Sequence, residues 1–348
     1  MALFRSRADT DGSGQLKMWR IVLVRSGFST IRPSTVGRCA HRSSNGVCSG
    51  IILASMTPTN GPTGPERRPY REAAWYYRAR PPYSAVLRPA LAEKLGWDGT
   101  GRLLDVGCGP GVVALELAPS FSQVVGLDPE ESMLMEARAA TPASARDKVR
   151  WIQARAENIP ALNLGRFQAV TLAQSFHWTD KDSVAEIVYD SLVPGGSMLL
   201  IHHEAPSFGS GVPSRTGSGE PSSAPQGTAH PPIPHEVIEQ VLVEWLGRGK
   251  PAVDPNREPY RHLLARTRFG PPERLLLPGR TDLIRTVDEV IDNYLSTSFA
   301  APDLFGDRLP QFRSALASEL RRHTDTGCFW EWPGDTEVLI AIKRSGHP

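Results

Sequence analysis

The sequence has few cysteines and no long apolar run. Its four cysteines, at positions 39, 48, 108 and 328, form no C-x-x-C pair. This spacing indicates neither a zinc site nor a disulfide framework, so we expect a cytoplasmic protein with reduced thiols and predict no metal site. No apolar run approaches the roughly 18 residues that a membrane-spanning helix needs, so no membrane partner is predicted.

Acidic residues are scarce near the N-terminus. Residues 1–55 hold eight Lys and Arg but only two acids, a balance of +6, which leaves −4 for the remainder of a chain whose net charge is +2. A mildly acidic body argues against nucleic acid as the main partner, because phosphate backbones are bound by basic surfaces.

Two stretches lack the periodicity of folded segments. Residues 1–68 predict a disordered extension ahead of one domain at 69–348; a transit peptide and upstream sequence ahead of a true start at Met56 are the alternatives. Residues 205–235 contain seven Pro, five Gly and six Ser among 31 residues. Such a composition cannot bury enough apolar surface to fold, so it predicts a disordered insert, with a flexible lid as the alternative.

The most informative stretch is R-L-L-D-V-G-C-G-P-G, residues 102–111. Aliphatic residues lead to Asp105, three glycines follow at alternate positions, and an apolar run with helical character begins at Val112. This pattern predicts a strand, a tight loop and a helix. The glycines allow sharp turns and close approach by a nucleotide-type ligand, and the helix directs free N–H groups at it.

Two cofactor classes use such a loop. The dinucleotide fingerprint G-x-G-x-x-A fits Gly109, Gly111 and Ala114, with an acid about 20 residues further on at Asp128. The same residues also fit the pattern D-x-G-x-G-x-G, starting at Asp105, which resembles the first motif of class I S-adenosylmethionine-dependent methyltransferases. The downstream sequence favours this second interpretation.

Later segments resemble the same family in the same order. V-G-L-D-P at 125–129, followed by S-M-L, is similar to its second motif. A-E-N-I-P at 156–160 is similar to the turn that borders the adenine, although Arg155 stands where the family often has an acid. The segment from Ala173 to His177 and Trp178 resembles methyltransferases of trans-aconitate and other small carboxylates, and P-G-G at 194–196 is a structural landmark. The likeness is to bacterial enzymes and runs from about Tyr70 to Lys343.

The resemblance implies S-adenosyl-L-methionine as cofactor and a small-molecule methyl acceptor, an oxygen or nitrogen nucleophile, carboxylates included. The aromatic and Arg of Y-x-x-x-R-P-x-Y would close over the methionine end, Asp128 would hold the ribose, and Glu157 would border the adenine. The implied cofactor-binding residues are Tyr76, Arg80, Asp105, Gly107, Cys108, Gly109, Gly111, Asp128, Pro129, Met133, Ala156, Glu157 and Gln174.

His177 is the candidate catalytic residue, because an imidazole suits proton abstraction near neutral pH. The alternative is that its ring bonds the backbone and holds the loop after the fourth strand. Methyl transfer to an ionised carboxylate needs no base, which favours the structural role.

The predicted fold is one α/β domain with a doubly wound, Rossmann-like, seven-stranded sheet of order 3-2-1-4-5-7-6, whose last strand is antiparallel. A helical insert at about 281–322 precedes that strand, which does not fit a second mononucleotide-binding half. Two alternatives stay open: an NAD(P)-dependent oxidoreductase and a non-catalytic methyltransferase-like binding protein. A monomer or homodimer is expected.

Local signals predict helix starts. Ser84 is placed to cap a helix that ends at Leu95, and Pro129 to occupy the first position of another. Further helices are predicted near 281–296 and 307–322.

Overall fold

A computed structural model describes residues 73–204, 229–250 and 258–344. The predicted extension, 1–68, and residues 205–228 of the predicted insert lie outside the described residues. Both therefore stay predictions.

A seven-stranded sheet forms the centre of the described chain, and its order is β3-β2-β1-β4-β5-β9-β6. β9 is the seventh strand of this sheet in chain order and pairs antiparallel with both β5 and β6. The predicted order, including the antiparallel last strand, is confirmed. The strands are β1 Arg102–Val106, β2 Gln123–Asp128, β3 Val149–Gln153, β4 Phe167–Ala173, β5 Leu192–Glu204, β6 Glu273–Leu277 and β9 Asp335–Ile342, with β7 Leu283–Thr286 and β8 Cys328–Glu331 forming a separate antiparallel pair.

Helices cover both faces of the sheet, and apolar side chains form a core cluster on each. On one face Leu104 and Leu200 pack with α4 and α6, and on the other Leu103 and Leu199 pack with α1 and α2. This layering leaves the carboxyl ends of the parallel strands open for a ligand. The helices are α1 Leu87–Leu95, α2 Val112–Leu117, α3 Glu131–Ala140, α4 Lys181–Ser191, α5 His235–Leu246, α6 Tyr260–Ala265, α7 Val287–Leu295 and α8 Leu309–Arg321.

A third core cluster joins α5, α7 and α8 to β8. Phe312, Leu316 and Phe329 are fully buried there, and the rings of Phe305 and Phe312 stack 4.0 Å apart. The aromatic residues of this region thus hold the helices together rather than face solvent.

The predicted cap at Ser84 is wrong. α1 begins at Leu87, and the backbone N–H of Ser84 instead donates to Thr336 Oγ1 at 2.8 Å. Pro89 explains the later start. A helix capped at Ser84 would need a hydrogen bond from residue 89 to residue 85, which proline cannot donate, whereas the start at Leu87 puts Pro89 in the first turn.

Two other helix starts also differ from prediction. α3 begins at Glu131, two residues after Pro129, because Asp128 Oδ1 accepts from the backbone N–H of Glu130 and forms a turn there. The helix predicted from residue 281 begins at Val287, since 283–286 pair with β8. The sequence does contain the true start, a capping box between Thr286 and Glu289.

Candidate functional site

The glycine loop after β1 turns back on β2. The backbone N–H groups of Gly107 and Cys108 both donate to the Leu127 carbonyl, at 2.7 and 3.0 Å. All three glycines have left-handed backbone, with φ of 65° at Gly107, 53° at Gly109 and 82° at Gly111. These conformations strain any residue with a side chain, so glycine is required here.

The three glycines face different surroundings. A Cβ at Gly107 would lie 2.4 Å from Ser175 Cβ, and one at Gly111 would lie 2.5 Å from the Trp151 ring. At Gly109 the nearest atom is in the Tyr77 ring, 4.0 Å away. Protein side chains therefore pack closely against Gly107 and Gly111. The surface at Gly109 is open, as the close approach of a cofactor requires.

Asp105 ties the loop to the sheet and to α2. Its side chain is 1% exposed, Oδ2 accepts from the backbone N–H of Ala114 at 3.1 Å, and Oδ1 accepts from Thr171 Oγ1 at 2.7 Å. Burial raises the pKa of Asp105 to about 7. These bonds connect β1 with β4 and with the helix that follows the loop. The organising role and an interaction with the methionine ammonium stay predictions.

Asp128 ends β2 beside the same loop. Its Oδ2 accepts from the backbone N–H of Gly109 at 2.8 Å, and its Oδ1 accepts from Glu130 at 2.8 Å. Burial raises the pKa of Asp128 to about 6. Each carboxylate oxygen has a second lone pair, so the group that holds Gly109 keeps acceptor capacity for a ligand hydroxyl.

Three predicted residues near these acids have buried or partly buried side chains. Met133, on α3, is 3% exposed, and Pro129 is half-buried with its carbonyl accepting from Gln153 at 3.1 Å. Cys108 is 7% exposed, and its Sγ lies 3.1 Å from a Cβ placed on Gly126. Burial holds the Cys108 pKa well above its usual value, so this thiol is no nucleophile.

The predicted adenine border lies after β3 in a short 3-10 helix, Ala156–Leu162. Ala156 is 6% exposed and belongs to the core, while Glu157 accepts from the backbone N–H of Asp180 at 3.2 Å. Glu157 thus links this turn to the segment that follows β4. Its contact with adenine stays a prediction.

The segment after β4 begins with backbone strain. Gln174 has φ of 51°, uncommon for a residue with a side chain, and its N–H donates to the Ile201 carbonyl at 3.0 Å. Ser175 follows and donates from Oγ to the Val106 carbonyl at 2.6 Å, next to Gly107. Strain at the carboxyl end of a strand is typical of functional sites. His177 lies exposed in the next turn, Phe176–Trp178.

The residues ahead of α1 reach over the glycine loop. Tyr77 lies over Gly109, whereas its neighbour Tyr76 packs against the helical cluster of α5, α7 and α8. Arg80 donates from Nε to Ser296 Oγ at 2.6 Å and from Nη2 to the Ser296 carbonyl at 2.9 Å. The sequence prediction named Tyr76 and not Tyr77, because no local signal separates two adjacent tyrosines in a short 3-10 helix. Contact of either ring with the cofactor stays a prediction.

A cavity of about 600 Å³ continues from this cleft. Gln174 and Ser175 line it, and Ser175 also contacts Gly107, so the cavity adjoins the loop. Its walls combine apolar residues with polar residues of β5, β6 and β9, namely Leu172, Phe176, Leu200 and Leu339 with His202, Arg274 and Glu337. Sequence analysis missed the second set because the strand register brings these distant positions together.

The described ranges meet the requirements of neither a metal site nor a membrane-spanning helix. Within 73–204, 229–250 and 258–344, no three His, Cys, Asp or Glu side chains are grouped so that they could hold a metal ion. No helix in those ranges is long and apolar enough to cross a bilayer.

Comparison with known proteins identifies the loop and the strands around it. Residues 103–196 match a family model described as a methyltransferase domain. A probable S-adenosylmethionine-dependent methyltransferase of Saccharomyces cerevisiae is 29% identical over 139 residues, which cover 39% of this chain and 47% of that protein. An uncharacterized methyltransferase of Mycobacterium tuberculosis is 33% identical over 126 residues, covering 36% and 48%.

Two further similarities are a shorter match to another relative and a weak likeness to a solved structure. A ubiquinone biosynthesis O-methyltransferase of Leptothrix cholodnii is 30% identical over 100 residues, covering 28% of this chain and 43% of the relative. The YcgJ protein of Bacillus subtilis has a solved structure with a TM-score of 0.40 and 15% identity, covering 74% of this chain and 98% of that one. The chain spans about half the length of the curated relatives it matches.

The matched segment contains the glycine loop, both buried acids and the strained turn after β4. Its family uses S-adenosyl-L-methionine, and the bare surface at Gly109 beside the Asp128 carboxylate fits that cofactor. Together with the order of the sheet, the match shows that residues 103–196 form a methyltransferase domain of the class I, S-adenosylmethionine-dependent family.

Proposed function

We propose that the protein transfers the methyl group of S-adenosylmethionine to a small molecule bound in the cavity beside the glycine loop. The observation that carries this proposal is the continuity of the two sites. Ser175 contacts Gly107 on one side and lines the cavity of about 600 Å³ on the other. A donor at the loop and an acceptor in the cavity would therefore be neighbours.

Particular residues would hold the donor. Gly109 supplies the bare surface, and Asp128, fixed by the Gly109 N–H, offers its remaining lone pairs to the ribose hydroxyls. The cofactor supplies an activated methyl group on a sulfonium sulfur. Ala156 and Glu157 would border the adenine, and Arg80 and Tyr76 would help to hold the segment that covers the cleft.

Positioning would provide most of the rate enhancement. Holding two reactants at near-attack distance is worth roughly 7–11 kcal/mol of barrier in favourable intramolecular cases. Tyr77 over the loop, and Arg80 tied to Ser296, would exclude water from the donor.

The acceptor is proposed to be a small molecule with an oxygen or nitrogen nucleophile. The cavity supports this, since it is lined by both apolar and polar side chains, such as Phe176 and His202. The name of the Leptothrix relative, an O-methyltransferase, supports an oxygen acceptor.

The nicotinamide alternative loses support from the sheet. A dinucleotide-binding domain of this type repeats a second parallel mononucleotide-binding half. Here β9 instead inserts antiparallel between β5 and β6. Titration with reduced nicotinamide cofactors, followed by their fluorescence, should show no binding.

A turnover assay tests the proposal. Purified protein is incubated with S-adenosylmethionine and a panel of small carboxylates, phenols and amines, and S-adenosylhomocysteine is quantified by mass spectrometry. We expect acceptor-dependent product with the wild type and, at a cofactor concentration near the wild-type Kd, much less product with Asp128→Ala. A folded protein that binds the cofactor but turns over with no member of a broad panel would favour the non-catalytic alternative.

A further inference from the structure

A histidine and a carboxylate face each other across the cavity wall. His202 of β5 is paired in register with Glu337 of β9, and its Nε2 contacts Oε2 of that carboxylate. Arg274 of β6 contacts the other oxygen through Nε. Burial alone would raise the pKa of Glu337, but hydrogen bonds from His202 and Arg274 lower it to about 2, so the carboxylate is ionised.

This arrangement fixes the tautomer of His202. A neutral imidazole that donates from Nε2 carries its lone pair on Nδ1. Within the part of the chain that the structure describes, Nδ1 of His202 has no hydrogen-bond partner, and the side chain is 28% exposed and lines the cavity. An imidazole that lines a cavity, is held by a carboxylate through one ring nitrogen and keeps the other nitrogen unbonded can remove a proton from a nucleophile.

Two other histidines line the same cavity with different surroundings. The His203 ring stacks on Tyr83 at 4.7 Å and hydrogen-bonds the Pro81 backbone, and burial lowers its pKa to about 4, which makes it a weak base. His177 lies exposed in the turn after β4. His202 combines a contact to an ionised carboxylate with partial exposure at the cavity.

We propose that His202, oriented by Glu337 and Arg274, is the catalytic base for a hydroxyl acceptor, and that the acceptors are phenols rather than carboxylates. This inference rests on the proposed function. An ionised carboxylate needs no base, whereas a neutral phenol must lose its proton as the methyl arrives. The apolar part of the cavity suits an aromatic ring, because Phe176 lies edge-on to Tyr260 at 5.2 Å and leucines complete the wall.

The step is balanced without another reactant. The O–H bond of the acceptor breaks and its proton forms a bond to Nδ1 of His202. The oxygen electron pair forms the bond to the methyl carbon, while the pair of the carbon–sulfur bond stays on sulfur as S-adenosylhomocysteine. The imidazolium next to Glu337 is stabilised by the carboxylate until it returns its proton to water.

Ionisation of a bound phenol tests this role without turnover. Full-length protein is loaded with S-adenosylhomocysteine and titrated with 4-nitrophenol at a pH below the phenol's own pKa, and the visible phenolate band is recorded. We expect the wild type to bind the phenol and develop that band. His202→Asn should lose it, and Glu337→Gln should weaken it, because the amide no longer stabilises the imidazolium.

Two controls separate catalysis from folding. His323, which follows α8, contacts Glu319 of its last turn at 3.5 Å, and neither residue lines the cavity. His323→Asn therefore removes a similar pair and should leave the band unchanged. In turnover with 4-methylphenol, His202→Asn should lower kcat by roughly 10²-fold or more, the usual contribution of a positioned base. KM for S-adenosylmethionine should not change.

Cofactor calorimetry distinguishes the two ways of failing. If neither the wild type nor any variant binds S-adenosylhomocysteine, the proposed function itself is wrong. If the cofactor binds but 4-nitrophenol does not, or if its phenolate band persists in His202→Asn, the role of His202 is refuted. Methylation of benzoate at equal rates by the wild type and His202→Asn, with no phenol methylated, would also overturn the inference.

Discussion

At the residue scale, two aspartates that end neighbouring strands have different tasks. Asp105 receives one hydrogen bond on each oxygen from the protein, from Thr171 and from Ala114, and is 1% exposed. Asp128 is 7% exposed and holds Gly109, the glycine with open space above it. The sequence shows both acids, and each accepts one protein hydrogen bond on each oxygen. The difference is that Asp128 holds the glycine with open space above it, which makes it the acid proposed to bind the cofactor.

Cofactor affinity should depend on the protonation of Asp128. Its pKa is about 6, so lowering the pH through that value neutralises a carboxylate that is needed as a hydrogen-bond acceptor. We predict that the affinity for S-adenosylhomocysteine falls as pH drops from about 7 to about 5, measured by calorimetry. Asp128→Asn should bind weakly at all of these pH values, and an unchanged slope in that variant would assign the effect to another group.

Stability should depend on Asp105 in the opposite sense to that of a salt-bridged acid. Its folded pKa of about 7 exceeds the ordinary aspartate pKa of about 3.9, so the native state holds the proton more tightly. The contribution of Asp105 to the free energy of unfolding is therefore greatest below about pH 4 and is lost as pH rises toward 7. Urea unfolding across this pH range should show that the free energy of unfolding decreases less with rising pH in Asp105→Asn than in the wild type. Parallel curves for the two proteins would contradict this.

At the scale of single elements, local signals predicted the presence of helices and strands more accurately than their first residues. Pro89 moved the start of α1 away from Ser84, and the Asp128 turn moved α3 past Pro129. The start of α1 shifts because Pro89 has no backbone N–H to donate. The start of α3 shifts because the backbone N–H of Glu130 already donates to Asp128. Residues 283–286 read as helix in isolation, but their pairing with β8, far along the chain, makes them a strand.

The glycine loop allows a matched pair of substitutions. In Gly109→Ala the new methyl meets open space near Tyr77, so the fold should survive apart from about 1–2 kcal/mol of left-handed backbone strain, while cofactor binding is lost. In Gly111→Ala the methyl collides with the Trp151 ring at 2.5 Å, so stability should fall further. Thermal unfolding and calorimetry on both variants check this. Equal stability losses, or retained binding in Gly109→Ala, would count against the assignment of Gly109.

The capping box of α7 should contribute measurably to stability. Thr286 accepts from the backbone N–H of Glu289, and the Glu289 carboxylate accepts from the backbone N–H of Thr286. Thr286→Ala should lower the free energy of unfolding by about 1 kcal/mol, measured by urea denaturation. Thr286→Ser, which keeps the acceptor oxygen, is the control and should retain most of the stability; equal losses in both variants would refute the cap.

At the scale of the whole molecule, the order of motifs along the chain was enough to predict the seven-stranded sheet. Each parallel strand carries its own landmark, such as the acid of β1 or the P-G-G before the buried part of β5, and the antiparallel β9 follows from the helical excursion ahead of it. The cavity proposed to bind the acceptor could not be predicted in this way. His202 and Glu337 are neighbours only through the register of β5 and β9, which no local pattern encodes.

The central claim is that the glycine loop and Asp128 bind S-adenosylmethionine, and calorimetry with S-adenosylhomocysteine tests it most directly. We expect micromolar, saturable binding to the wild type. Asp128→Ala should weaken this binding by about tenfold or more, because each hydrogen bond to a charged group contributes about 1.5–3 kcal/mol. Absence of binding to protein with an intact circular dichroism spectrum, or equal affinity in Asp128→Ala, would contradict the account.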